Sequence, residues 1–202
     1  MAITPRQFEQ IQARLSGSKH TPAPVFASSY RAGSNRNQII IGVDPSLRGT
    51  GYGVIQLAKP NPRALAHGTI ACPAGWERSR CLVKITQTLR EIVIKYRPTV
   101  CAIEGLFYAQ NLQTALIMGE ARGAALAALA EAGLDIFEIA PRKVKQAVVG
   151  YGAAQKLAVG KMVQRLLQLP EPPLSDAADA LALALAHAQD SQRTFGAGAK
   201  RI

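Results

Sequence analysis

Four carboxylates in this chain occupy places where a carboxylate needs an explanation: Asp44, Glu104, Asp176 and Asp179. Asp44 closes the run Ile39-Ile40-Ile41-Gly42-Val43, too short for a helix and rich in β-branched residues, which reads as a buried strand. Glu104 closes a second such run, Thr99 to Ile103. A carboxylate at the end of a buried strand loses hydration unless cations or hydrogen-bond donors hold it. In S-D-A-A-D, Asp176 and Asp179 lie three apart at the start of a helix, with Cβ atoms ~5–6 Å from each other, so their like charges repel unless something positive stands near. Simpler accounts fit some of them singly. An Asp-Pro turn between two strands explains Asp44, and a Ser175 cap followed by an acid in the first helical turn explains Asp176. Taken together, the four make an all-oxygen donor set suited to Mg²⁺ or Mn²⁺. Two such ions ~3.5–4 Å apart could clamp the attacking and leaving oxygens of a phosphodiester.

The elements that must position these acids follow from the pattern around them. After the first strand, Pro45 and the glycines at 49, 51 and 53 are expected to stop and reverse the chain. Tyr52 to Leu57 and Leu65 to Ile70 then read as two further strands of an antiparallel meander. Leu82, Ile85, Leu89, Ile92 and Val93 recur at helical spacing within Trp76 to Tyr96, and Pro98 follows. An Ala- and Gly-rich helix spans Leu112 to Ala132 and stops at Gly133. A strand at Asp135 to Ile139, a short basic helix opened by Pro141, a helix from Gln155 to Leu169 and a last helix from Ser175 to Gln189 complete the series. Three meandering strands followed by alternating helix and strand predict an α/β fold with a five-stranded mixed sheet, two of its strands parallel to the first, flanked by helices. If the fourth strand lies beside the first, Asp44 and Glu104 end at one rim with their strands ~4.8 Å apart.

Residues 38–190 form this domain. Residues 1–37 read as an extension: a short helix capped by Thr4 with Pro5 at its first position, then a basic linker rich in Gly, Ser, Pro and Asn. Residues 191–202 read as a flexible basic tail. Three cysteines without C-x-x-C spacing argue against a disulfide framework or a zinc site and for a reduced, cytoplasmic protein. No apolar stretch approaches a membrane span and no secretory signal opens the chain. Lys and Arg number 24 against 13 Asp and Glu, a net charge of +11, which favours a polyanionic partner, nucleic acid before membrane.

The segments D-P-S-L-R-G-T-G-Y-G-V-I, A-I-E-G-L-F-Y-A-Q-N, G-E-A-R-G, V-K-Q-A-V-V-G-Y-G-A-A-Q-K and D-A-A-D-A-L-A resemble, in order and spacing, the RuvC-type crossover junction endodeoxyribonucleases, from about Ile39 to Gln189. The resemblance implies an RNase H-like fold, a homodimer, and Mg²⁺-dependent resolution of four-way (Holliday) DNA junctions by paired nicks that leave 5′-phosphate and 3′-hydroxyl ends. It also implies a branch-migration helicase as partner. Position by position it makes Asp44, Glu104, Asp176 and Asp179 the metal-binding acids. Lys145 and Lys156 match basic residues near the cleaved strand, and Phe107 an aromatic that meets bases at the junction. Two features depart from the family pattern: the extension Met1 to Asn37, and Ser46 where a glycine is usual.

Apart from the resemblance, Arg142, Lys143, Lys145, Lys156, Lys161 and Arg165 cluster downstream of the fifth strand, either as solvated helical faces or as phosphate contacts beside the acids. Arg48, in the first turn, could also reach a phosphate. Other functions share parts of this pattern. An RNase H-like nuclease cutting RNA–DNA hybrids fits the same acids. An actin-type ATP-binding domain also uses a strand, an Asp and a Gly-rich turn, but needs a second phosphate loop, and this chain offers one.

Overall fold

The computed structural model describes residues 37–105, 111–192 and 199–202. Phe107, the helix expected from Thr4 and most of the linker after it lie outside the described residues.

The sheet is built on β1 (Ile39–Asp44), which pairs antiparallel with β2 (Gly49–Gln56) and parallel with β4 (Val100–Glu104). β3 (Arg63–Ala71) extends the meander, and β5 (Asp135–Ile139) lies parallel beside β4. Helices cover both faces of the inner strands, which is why β1 and β4 are apolar at nearly every position. Alternation along the strands divides the core in two. Ile41, Val43, Cys101 and Ile103 pack against α1 (Arg78–Tyr96) and α2 (Leu112–Glu131). Ile40, Val100 and Ala102 pack on the other face against α3 (Pro141–Val149), α4 (Lys156–Leu166) and α5 (Ser175–Gln192). The same period of two puts the side chains of Asp44 and Glu104 on the α5 face.

The sheet has six strands rather than the five expected, in the order β3-β2-β1-β4-β5-β6. The sixth, β6 (Lys200–Arg201), comes from the stretch read as a tail and pairs antiparallel with β5. Two residues with charged side chains carry no strand pattern, so only the partner strand defines them. Arg201 also ion-pairs with Asp135, and the backbone N–H of Ala199 donates to the Asp190 carboxylate at 3.0 Å.

A second difference concerns the glycines at 49, 51 and 53. They do not make the turn; they lie inside β2, and the reversal is confined to Pro45–Arg48. Glycine at every second position leaves the α5 face of β2 without side chains from Gly49 to Gly53. A Cβ on Gly51 would stand 2.0 Å from the backbone oxygen of Asp176, and one on Gly42 would stand 1.9 Å from that of Ala180. Helix α5 therefore rests directly on the backbone of β1 and β2. Its other sides are covered by α3 and α4, which explains why it is apolar almost all round, with Ala180 to Ala186 buried without interruption.

Helix boundaries follow local chemistry. α2 begins where the Asn111 side chain accepts the Thr114 N–H at 2.8 Å. α1 ends at Arg97 in the left-handed conformation, its N–H returning to the Val93 carbonyl. In the turn after β1, Ser46 needs no glycine: its N–H donates to Thr50 Oγ1, whose hydroxyl donates back to the Ser46 carbonyl at 2.6 Å.

Candidate active site

Two parallel strands and one helix bring the acids to a single rim. The β1–β4 register sets Val43 against Ile103, so Asp44 and Glu104 follow at neighbouring strand ends. Asp44 also pairs across β2 with Gly51, the residue on which the first turn of α5 sits. Asp176 reaches over Gly49, its Oδ2 lying 2.9 Å from the point where a Cβ would stand there. One helical turn later, Asp179 accepts a hydrogen bond from Lys156 Nζ at 2.8 Å.

The electrostatics reflect crowding of like charge. The Asp44 carboxyl is pushed up to about 8, first by burial, then by the charge of Glu104 and the hydrogen bond between these two side chains, then by Asp179, while Lys156 pulls the other way. Near neutral pH the Asp44 carboxyl therefore favours its protonated form. Lys156 is shifted up, chiefly through its hydrogen bond to Asp179, with Asp44 and Glu104 adding to the effect against partial burial. Its side chain remains largely exposed, at 73%.

Three of the four acids are engaged, Asp44 with Glu104 and Asp179 with Lys156. Among the described residues no three acidic, His or Cys side chains already stand as a closed ligand set. The chemistry of the donors nevertheless fits a hard divalent cation. They are carboxylates alone, and a cation between Asp44 and Glu104 would replace the proton that burial and repulsion now hold there.

The expected basic residues divide. Lys143 and Lys145 lie on α3, which starts two residues after Ile139, the β5 partner of Glu104, so this helix springs from the same rim. Arg48 turns the other way. Its Nη1 donates to the Pro73 carbonyl at 2.6 Å and to Cys81 Sγ at 3.3 Å, bracing the turn against α1 on the face opposite the acids. His187 is buried against Phe137, with ring centroids 4.6 Å apart, in keeping with a structural role.

A sequence model of the family described as crossover junction endodeoxyribonuclease RuvC matches residues 40–187. The chain belongs to the RuvC family. The RuvC of Akkermansia muciniphila is 47% identical over 148 residues, covering 73% of this chain and 89% of the relative. That of Pasteurella multocida is 46% identical over 157 residues, 78% of this chain and 82% of the relative. The structure of Thermus thermophilus RuvC in complex with a Holliday junction substrate superimposes with a TM-score of 0.74 at 32% identity, covering 82% of this chain and 99% of that one. The yeast mitochondrial resolvase Ydc2, 12% identical with a TM-score of 0.53, shares the fold. RuvC proteins are metal-dependent nucleases that act on crossover junctions, and the mixed sheet flanked by helices is their RNase H-like fold.

One pair beside the four acids escapes a reading based on charge and periodicity. Arg122, within the G-E-A-R-G segment, is only 8% exposed, ion-pairs with Glu138 on β5 and donates to the backbone carbonyl of Glu104. The signal in the sequence was an arginine amid the alanines of an otherwise apolar helical face.

Proposed function

We propose that this chain resolves four-way DNA junctions by paired symmetric nicks, with Asp44, Glu104, Asp176 and Asp179 holding two Mg²⁺ ions, for which Mn²⁺ can substitute. The observation that carries the reading is the convergence of Asp44, Glu104, Asp179 and Lys156 on one rim, where burial and neighbouring carboxylates hold the Asp44 carboxyl well above its ordinary range. When bound, the ions would supply Lewis acidity, favouring deprotonation of water and neutralising charge at the phosphate. The protein's own residues do the rest. Glu104 and Asp44 fix the strand side of the site, and α5 carries Asp176 and Asp179 against it. Lys156 Nζ, exposed and held by Asp179, presents its remaining protons to the cleaved strand or to the water. Lys145 and Lys143 contact flanking phosphates from α3. Arg48 enters at most as an outer phosphate contact through the part of its guanidinium not turned to Pro73. Phe107, three residues beyond Glu104, stacks on a base opened at the crossover, a contact worth ~1–3 kcal/mol.

The partner for symmetric nicking is a second copy of this chain. Leu112 and Leu116 on α2 are 76% and 58% exposed, and a Cβ on Gly119 or Gly123 would meet nothing within 4 Å. The chain's own packing therefore does not require those glycines, whereas a second helix crossing there would use them. Residues 1–37 are an accessory extension to the 38–190 nuclease domain and 191–202 a basic tail, with β6 set into it. The protein acts in the cytoplasm alongside a branch-migration helicase. No helix among the described residues is long and apolar enough to cross a membrane.

The test is cleavage of a four-way junction, a matched duplex and an RNA–DNA hybrid, each with and without Mg²⁺. The expected result is paired nicks in the junction alone, only with metal. Equal cutting of all three refutes junction specificity, and cutting of the hybrid alone returns the chain to the ribonuclease H reading.

A further inference from the structure

We infer that Arg122, held in place by Glu138, is a positioning residue that fixes the end of β4 and with it the carboxylate of Glu104. The inference rests on the proposed role of Glu104 as a metal ligand.

Arg122 lies on the face of α2 that packs into the core, where its neighbours on that face are Ala121, Ala125, Ala128 and Leu129. A guanidinium buried among alanines is costly, and apolar residues of similar volume commonly serve stability as well or better. Its bonds indicate what it secures. One nitrogen, Nη2, meets the Glu138 carboxylate, and the other, Nη1, donates to the backbone carbonyl of Glu104. Glu138 is one residue before the end of β5 and pairs with Ile103, the residue before Glu104. The fork therefore spans the ends of two adjacent strands.

The sides of the sheet matter. Glu138 shares its face with Ile136, which packs against α1 and α2, whereas the side chains of Asp44 and Glu104 point to the α5 face. Arg122 thus grips Glu104 from behind the sheet. It stands behind the strand rather than among the ligands, so its influence on the reaction passes through the position of Glu104. On the front, the Glu104 side chain is hydrogen-bonded to that of Asp44 at the neighbouring strand end. The same strand end has one other backbone restraint, the N–H of Gly105, which donates to the Ile139 carbonyl at 3.0 Å. Lysine at position 122 would keep the charge but could not fork across both acceptors.

The experiment compares wild type, Arg122→Lys, Glu138→Gln and, as control, Arg90→Ala, which breaks the exposed Arg90–Glu131 pair between α1 and α2. Three quantities are read: Mn²⁺ affinity by calorimetry without DNA, junction affinity without metal, and junction cleavage. Arg122→Lys and Glu138→Gln are expected to weaken Mn²⁺ binding and slow cleavage about 10- to 100-fold, the range seen when support behind a metal ligand is lost, while junction affinity stays at wild type. Arg90→Ala should change none of the three. A double variant with Glu104→Gln distinguishes positioning from general damage. If Arg122 acts through Glu104, adding Arg122→Lys to Glu104→Gln should cost no further Mn²⁺ affinity. Wild-type Mn²⁺ binding and cleavage in folded Arg122→Lys and Glu138→Gln overturn the inference, as does full additivity in the double variant. Should Arg122→Lys fail to fold, Glu138→Gln alone decides. If wild type cuts no junction, the nuclease reading falls, and the Mn²⁺ comparison still judges the brace.

Discussion

Replacing Gly51 with alanine separates the position of the acids from their chemistry, because Gly51 has no group that could take part in cleavage. The added Cβ would lie 2.0 Å from the Asp176 oxygen, where ordinary contact begins near 3.4 Å, a deficit of about 1.4 Å. Both sides of this contact are backbone, so no side chain can rotate away. Either β2 bends or the first turn of α5 lifts, and the part that lifts carries Asp176 and Asp179. Overpacking of this kind costs ~1–3 kcal/mol. A displacement near 1 Å at a reacting centre costs about 10²-fold in rate. Gly51→Ala should therefore melt lower, still bind the junction through its basic residues, and cut it about a hundred times more slowly at saturating Mg²⁺. Gly75→Ala, whose Cβ would meet nothing within 4 Å, is the matched control and should stay within ~0.5 kcal/mol and at full rate. The assay is thermal unfolding with single-turnover junction cleavage. If Gly51→Ala cuts at the wild-type rate, the seat of α5 on β2 does not place its acids and the reasoning is wrong.

Three further outcomes follow from the same site. In chelator, Asp44 has a folded value near 8 against an ordinary 3.8, so the native state holds a proton that the unfolded chain releases, and stability falls as pH rises from about 4 to about 8. Asp44→Asn should remove that slope and make the metal-free protein more stable than wild type at pH 8, by at most ~5 kcal/mol, with the gap closing toward pH 4. Melting curves at both ends of the range check this, and Mg²⁺ should reverse the order at pH 8. Lys156→Ala or Lys145→Ala should slow cleavage and lower the salt slope of junction binding by about one unit, and an unchanged rate and slope would return that lysine to a solvated face. Leu116→Arg should leave the stability of the monomer fold within ~0.5 kcal/mol of wild type but shift sedimentation from dimer to monomer and turn paired nicks into single ones; a variant that remains dimeric places the interface elsewhere.

Much of this architecture was legible because it repeats. The β-branched runs ending in Asp44 and Glu104, the helical spacing from Leu82 to Val93, and the S-D-A-A-D start of the last helix each carry a period that survives without a structure. The strands of β1 and β4 lie side by side as that pattern required, and the acids end at one rim. What was not legible depended on a partner. Gly49, Gly51 and Gly53 have the composition of a turn, and only the helix resting on them shows that they belong to a strand. Lys200 and Arg201 become a strand because β5 has an open edge. Arg48 reads in sequence as a turn residue within reach of phosphate, and only the fold shows its Nη1 turned to Pro73 and Cys81. Arg122 is legible only as part of the G-E-A-R-G segment, because burial of a charge is invisible until the fold encloses it.

The seating of α5 on bare strand backbone also bears on when the protein becomes capable of cutting DNA. Asp44 and Glu104 belong to strands formed early in the chain, while Asp176 and Asp179 arrive on the last helix. A nascent or partly unfolded chain can pair β1, β2 and β4 and still present only half a ligand set. Closing so long a loop is entropically costly and is repaid only when α5 settles into its glycine channel. A basic polypeptide that binds nucleic acid before it has finished folding would be hazardous if its hydrolytic centre were local in sequence. On the proposed assignment of the four acids, the centre is complete only once α5 has docked, so competence to nick would report that the two ends of the domain have come together.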